Sequence, residues 1–178
     1  MLSFANLKSK IGNRKSKITR GGFSLIEVLI AILLVGLAIA SLVAANIAFT
    51  KANGAGADLS TAEFLVEQIR ELTTLLPVVD PQSGTATSPF GPEEATLTDY
   101  DDVDDFDGAN FSPPIGADRK PLNAFAGFSQ RITVEKVSPS NFELVVADNN
   151  SSSFVRVTVK VFLNSKEISS ASWIRARY

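Results

Sequence analysis

The sequence contains neither cysteine nor histidine. Their absence excludes disulfide bonds, thiol catalysis, zinc sites built on Cys or His, and Ser-His-Asp catalytic triads. It also excludes a lipoprotein anchor, which needs an acylated cysteine. The fold must therefore hold by burial alone.

The first 22 residues lack acidic side chains altogether. Removing their six basic residues from the 17 in the chain leaves 11 Lys and Arg against 19 Asp and Glu, a formal charge of −8 for the remainder. An acidic surface repels phosphates, so no nucleic-acid partner is expected. The basic leader residues are Lys8, Lys10, Arg14, Lys15, Lys17 and Arg20.

Charged residues are also absent between Glu27 and Lys51. The 23 residues from Val28 to Thr50 would form about 35 Å of helix at about 1.5 Å per residue. That length is sufficient to cross a hydrocarbon core of about 30 Å. Because the basic residues precede this run, the N-terminus is expected in the cytoplasm and the body outside the membrane.

Two ordinary interpretations compete for this apolar run. A secretory signal peptide also has a basic start, but its apolar region is usually shorter, about 7–15 residues. A plain single-pass anchor is compatible with Glu27 at the headgroup boundary, where the helix dipole favours a carboxylate. The second interpretation stays open on the pattern alone.

The stretch "GGFSLIEVLIA", residues 21–31, resembles the processing site of type IV prepilins and pseudopilins. The resemblance covers about residues 20–50. It implies that a prepilin peptidase cuts after Gly22 and that the new amine of Phe23 is methylated. It also implies that Glu27 pairs with the Phe23 amine of a neighbouring subunit in a filament. An unpaired carboxylate in such an apolar core would cost several kcal/mol.

The same resemblance implies a location, a set of partners and a structural role. The chain would be anchored in the bacterial inner membrane and assembled with other pilin subunits by an inner-membrane platform. It would be a structural protein and no enzyme. Three roles stay open: a minor pilin, a pseudopilin of the type II secretion piston, and a membrane-anchored binding module that keeps its leader and never polymerises.

The body is predicted to be α+β and type IV pilin-like. Residues 1–22 form the leader and 23–50 the transmembrane and assembly helix. Residues 51–76 form an amphipathic helix, in which Leu65, Ile69, Leu72 and Leu76 make one apolar stripe. Residues 77–124 form a Pro/Gly/Asp-rich variable region. Residues 125–178 alternate as four strands of an antiparallel meander, the last with Ile168, Ser170, Ser172 and Ile174 on one face.

Six aspartates crowd the stretch "DYDDVDDFDG", residues 99–108. Carboxylates this close must spread into solvent, take protons or share a cation. One interpretation is a solvated loop, and the other is a calcium site at Asp99–Asp107 with Asp102, Asp104 and Asp107 as ligands. The stretch also resembles an Asp-rich segment of minor pilins of the mannose-sensitive haemagglutinin type. No other cofactor is expected.

Overall fold

The computed structural model describes residues 21–78, 80–82, 90–149 and 151–177. All of the predicted leader except its last two residues lies outside this range. The chain divides into two compact units, Met1–Ala48 and Phe49–Tyr178. We describe each of them by itself.

A single continuous element, α1, runs from Leu25 to Thr74. It begins directly after Ser24, whose Oγ accepts the backbone N–H of Glu27 at 3.2 Å. A serine followed three residues later by glutamate is a common helix start, because the hydroxyl satisfies a backbone donor that the helix cannot. The helix ends three residues before Pro77, which has no N–H to continue it.

The second half of α1 contributes one side of the core of the body. Leu65, Ile69 and Leu72 are buried as the apolar stripe predicts, whereas Leu76 follows the helix end and is only partly buried. The stripe belongs to one buried cluster with the inward side chains of the sheet. The sheet contributes Ile132, Val134, Val155, Val157, Val159 and Val161 to that cluster.

The sheet has five antiparallel strands, which confirms the α+β, type IV pilin-like architecture. Two short 3-10 helices precede its long strands, at Asp104–Phe106 and Asn123–Phe125. The strands are β1 Asn110–Phe111, β2 Phe128–Ser138, β3 Asn141–Val145, β4 Phe154–Leu163 and β5 Lys166–Ala176. The first of them lies in the predicted variable region.

The predicted meander is wrong in its strand order. β2 pairs directly with β4 along Phe128–Lys136, so β3 does not lie between them. The N–H of Ile132 donates to the carbonyl of Ala109, the residue before β1. The carbonyl of Lys136 accepts the N–H of Val146, the residue after β3. Alternate residues of a strand direct these groups to the same edge. β1 and β3 therefore share the edge of β2 that β4 leaves free.

The prediction that Ile168 shares a face of β5 with Ser170, Ser172 and Ile174 is also wrong. The pairing shifts between Val161 and Phe162, which places Ile168 as an extra residue in the strand. An extra residue changes the face to which the preceding side chains point. Ile168 accordingly packs on the core with Ala171 and Trp173, while Ser170, Ser172 and Ile174 are exposed.

Candidate assembly helix and acidic cluster

The first half of α1 exposes apolar side chains around its whole circumference. Every large apolar residue from Phe23 to Phe49 is exposed, including Phe23 itself at 80%. The helix is long and apolar enough to cross a membrane. A helix that is apolar on all sides must be covered by lipid or by other helices.

Glu27 is the only ionisable residue between Gly21 and Thr50. Among the described residues, its carboxylate has no hydrogen-bond donor and no cation beside it; the hydrogen bonds of Glu27 are those of its backbone with Ser24. By contrast, the hydroxyl of Ser41 is satisfied inside the helix by the carbonyl of Leu37 at 2.8 Å. In apolar surroundings, Glu27 therefore needs a positive partner from outside the chain's own helix.

The bond between Gly22 and Phe23 lies two residues before the helix. Both residues are exposed, and nothing lies within 4 Å of the position of a Cβ at Gly22. A peptidase can therefore approach the backbone here closely, as glycine allows. Cleavage at this bond would create a positive amine on Phe23, one helical turn from Glu27.

The acidic stretch is fixed to the body. Val103 and Phe106 are fully buried, and the ring of Tyr100 packs edge-on against that of Phe106 at 5.1 Å. The guanidinium of Arg119 donates to the backbone carbonyls of residues 97, 98 and 100 at 2.7–3.0 Å. The stretch is therefore an ordered part of the structure.

Three of the six aspartates are buried, which contradicts the solvated-loop interpretation. Asp102 and Asp105 are each 1% exposed, and Asp104 is 6% exposed. These carboxylates are buried because the apolar neighbours Val103 and Phe106 belong to the core cluster, which holds the short 3-10 helix against the body. The hydrophobic gain of burying those side chains offsets the cost of desolvating their neighbours.

The proposed calcium ligands bind backbone groups in this structure. Asp102 Oδ1 accepts the N–H groups of Asp104 and Asp105 at 3.0 and 3.2 Å. Asp104 Oδ2 accepts the N–H of Gly91 at 3.2 Å, and Asp107 Oδ1 accepts that of Val134 at 2.8 Å. These bonds anchor the 3-10 helix to the preceding loop and to β2.

A different set of carboxylates comes together. Oxygen atoms of Glu93, Glu94 and Asp105 all lie within 4.8 Å of one another, and this is the one such acidic group among the described residues. The sequence interpretation missed the two glutamates because they precede the aspartates by several residues. The adjacent pair Glu93-Glu94 beside an Asp-rich stretch was the available signal.

Burial and mutual repulsion shift the pKa values of this region. Burial, and then the neighbouring Asp104 carboxyl, raise the pKa of Asp102 to about 8. The pKa of Glu94 is raised to about 7, first by its hydrogen bond with the Asp105 carboxyl and then by burial. A proton shared between two carboxyls supplies the donor that neither has when both are ionised.

These shifts predict a body that loses stability as the pH rises. Both pKa values are higher in the folded chain than in the unfolded chain, so the folded state binds more protons between about pH 4 and pH 8. The stabilisation is complete below about pH 4 and is lost as the pH passes through about 7–8. Thermal melts in the presence of a chelator should show a melting temperature that falls across this window.

The variant Asp102→Asn should flatten that pH profile. The asparagine oxygen can still accept the two backbone N–H groups, while the titrating group is gone. Glu143→Gln, at a carboxyl that is 93% exposed, is the matched control and should leave the slope unchanged. A profile equally steep in Asp102→Asn and in the unsubstituted chain would contradict the prediction.

Residues 19–44 match the family model described as "Prokaryotic N-terminal methylation motif". The match includes Gly22, Phe23 and Glu27, and it confirms the resemblance to type IV prepilins and pseudopilins. That family consists of structural subunits, not enzymes. Its motif implies processing by a prepilin peptidase and assembly with other pilin subunits. No curated protein and no solved structure matches the chain.

Proposed function

We propose that this chain is a structural subunit, a minor pilin or pseudopilin, of a type IV pilus-like filament. The observation that carries the proposal is the first half of α1, which is apolar on every side and holds one carboxylate, Glu27, that has no partner among the described residues. Such a helix suits two successive surroundings. It can anchor in a bilayer and later pack among the helices of other subunits.

The proposed mechanism begins with removal of residues 1–22. The cut after Gly22 removes all six leader charges and creates the amine of Phe23, which is then methylated. In the filament core, that amine pairs with Glu27 of a neighbouring subunit. The buried charge is paired at one axial position of the subunit and unpaired at others, and the unpaired positions are higher in free energy. The pair therefore sets the register of assembly.

The place of action follows from the charge distribution. The basic leader keeps the N-terminus in the cytoplasm, and the acidic body lies in the periplasm until assembly. An inner-membrane platform would then draw the subunit into a filament in the periplasm or on the cell surface. The order of the body around residues 99–108 is compatible with a minor pilin of the mannose-sensitive haemagglutinin type. A pseudopilin of the type II secretion piston would use the same helix, and the filament with which the chain co-purifies distinguishes the two.

Processing provides the direct test of this proposal. Coexpression with a prepilin peptidase should yield a mature chain that begins at Phe23 and carries one added methyl group, as measured by intact-protein mass spectrometry. Gly22→Leu should abolish the cut, because a branched side chain blocks close approach to the backbone. Gly36→Ala should be cut normally, since nothing lies within 4 Å of a Cβ placed there.

Other N-termini would contradict the filament role. Retention of Met1 would favour the membrane-anchored binding module, which does not polymerise. Cleavage after Ala40 or Ala45 would indicate a secretory signal peptide.

A further inference from the structure

We propose that Glu93, Glu94 and Asp105 form a binding site for one calcium ion on the body of this protein. The proposal does not rest on the filament role, because all three residues lie in the unit Phe49–Tyr178. It also differs from the ligands expected from the sequence, Asp102, Asp104 and Asp107, although Asp105 lies in the same acidic stretch.

The spacing of the three carboxylates fits a shared ion. Their oxygens lie within 4.8 Å of one another. Two oxygens bound to the same Ca²⁺ are separated by at most twice the metal–oxygen distance, about 4.6–5.2 Å. For Mg²⁺ the same limit is about 4.2 Å, and that ion also keeps most of its water. Separations within 4.8 Å are compatible with Ca²⁺, and the preference for Ca²⁺ rests on the reluctance of Mg²⁺ to give up its water.

Asp105 supplies the second and independent observation. Its side chain is buried, and its Oδ2 accepts the N–H groups of Asp101 and Asp102 at 2.8 and 3.1 Å. Its Oδ1 is buried, and no described residue donates a hydrogen bond to it. Leaving a buried acceptor without a donor destabilises the fold, and more so when the acceptor is charged.

Glu94 has the same deficiency on the other side of the group. Its Oε2 is buried, and with both carboxyls ionised no described residue donates a hydrogen bond to it; a proton would be needed to join its carboxyl to that of Asp105. No lysine or arginine of the described residues forms an ion pair with Glu93, Glu94 or Asp105. Two neighbouring carboxyls, each with one buried oxygen that lacks a donor among the described residues, form with Glu93 a group that a divalent cation would satisfy.

The surrounding contacts keep this group in place before any ion arrives. Oδ2 of Asp105 is held by two backbone N–H groups, and Asp102 in turn accepts the N–H of Asp105. Arg119 fixes the backbone just upstream through three carbonyls. Glu93 is exposed and Glu94 half-buried, so an ion can enter from solvent. The buried Asp105 is already ordered, so this ligand loses little conformational entropy on binding.

The alternative occupant is a proton shared by Glu94 and Asp105. The two occupants respond oppositely to pH, because calcium needs ionised carboxylates and the proton does not. The test therefore uses the full chain in detergent micelles at about pH 8, above the pKa of about 7 of Glu94, so that this ligand is mostly ionised. Calcium chloride is compared with chelator and with magnesium chloride at equal concentration.

We expect calcium to bind with a stoichiometry of one by isothermal titration calorimetry. At about 100-fold excess over Kd it should raise the melting temperature by about 5 °C or more. Magnesium should raise it by less than half as much. Glu94→Gln, which keeps the shape of a half-buried side chain, should bind calcium at least about tenfold more weakly, and Asp105→Asn should lose binding. Glu143→Gln removes an exposed charge elsewhere and should bind as the unsubstituted chain does.

Three results would overturn the assignment. The first is a melting temperature of the unsubstituted chain that is equal in calcium and in chelator, which leaves the shared proton as the occupant. The second is calcium binding that Glu94→Gln retains in full. The third is loss of binding in Asp107→Asn with Glu94→Gln unaffected, which would transfer the site to Asp102, Asp104 and Asp107. If Asp105→Asn does not fold, Glu93→Gln replaces it, because that exposed residue has no structural role in the core.

Discussion

Cells that express Glu27→Ala should cut and methylate the chain normally but should incorporate little or none of it into filaments. The variant keeps the cut site at Gly22 and Phe23, so processing is unaffected. In the filament core, however, the methylated amine of a neighbouring Phe23 would lose its partner. Removing one member of a buried ion pair costs about 3–5 kcal/mol, which corresponds to at least about a hundredfold loss of incorporation.

The measurement is quantitative immunodetection of the chain in sheared or purified filaments, set against its amount in the membrane fraction. Glu63→Ala is the matched control, since that exposed carboxylate lies on the same helix in the body. Glu27→Gln separates charge from shape and should fail nearly as completely as Glu27→Ala. Normal incorporation of Glu27→Ala would remove the register role assigned to this residue.

Gln130→Ala should destabilise the body more than any exposed substitution. The side chain is fully buried in β2: its Oε1 accepts the N–H of Ile115 at 2.8 Å, and its Nε2 donates to the carbonyls of Leu65 and Ile115 at 2.8 and 3.2 Å. It thereby joins the helix, the sheet and the loop before β2. The variant leaves a buried N–H without an acceptor and opens a cavity, and we expect a loss of about 3–5 kcal/mol.

Chemical denaturation of the chain in micelles, followed by the fluorescence of Trp173, would measure this loss. Gln68→Ala is the control, because the side chain of Gln68 makes a comparable bond to the N–H of Ala117 but is only partly buried. We expect it to cost about 1 kcal/mol. Equal losses in the two variants would show that burial at Gln130 adds nothing to the bond itself.

The body shows why some of its pattern was predictable. Strand β4 buries every second side chain in the core, so Val155, Val157, Val159 and Val161 alternate with other residues along the sequence. The helix stripe at Leu65, Ile69 and Leu72 follows from the helical period in the same way. Both patterns depend on neighbours in the chain and on a single buried face.

The order of the strands and the acidic group depended on more distant contacts. Alternation is the same whichever strand lies beside β2, so it could not reveal that β4 pairs there and β3 shares the other edge with β1. One extra residue at Ile168 places that side chain on the face opposite Ser170, Ser172 and Ile174, and the alternation carries no sign of it. In the sequence Gln130 is an ordinary polar strand residue. Only the tertiary structure shows that it is buried and hydrogen-bonded to the helix and the loop.

The sequence by itself determined the apolar helix long enough to cross a membrane, the motif at Gly22, Phe23 and Glu27, and the α+β class. Each of these follows from the spacing of residues that are neighbours in the chain. Only the tertiary structure decided which carboxylates meet. Glu93 and Glu94 lie against Asp105, and Asp102 turns inward, because Val103 and Phe106 pull the stretch into the core. The positions of the charged residues can be read from the sequence, but their burial depends on apolar contacts with the rest of the body. Burial in turn decides whether an aspartate is hydrated, protonated or bound to a cation.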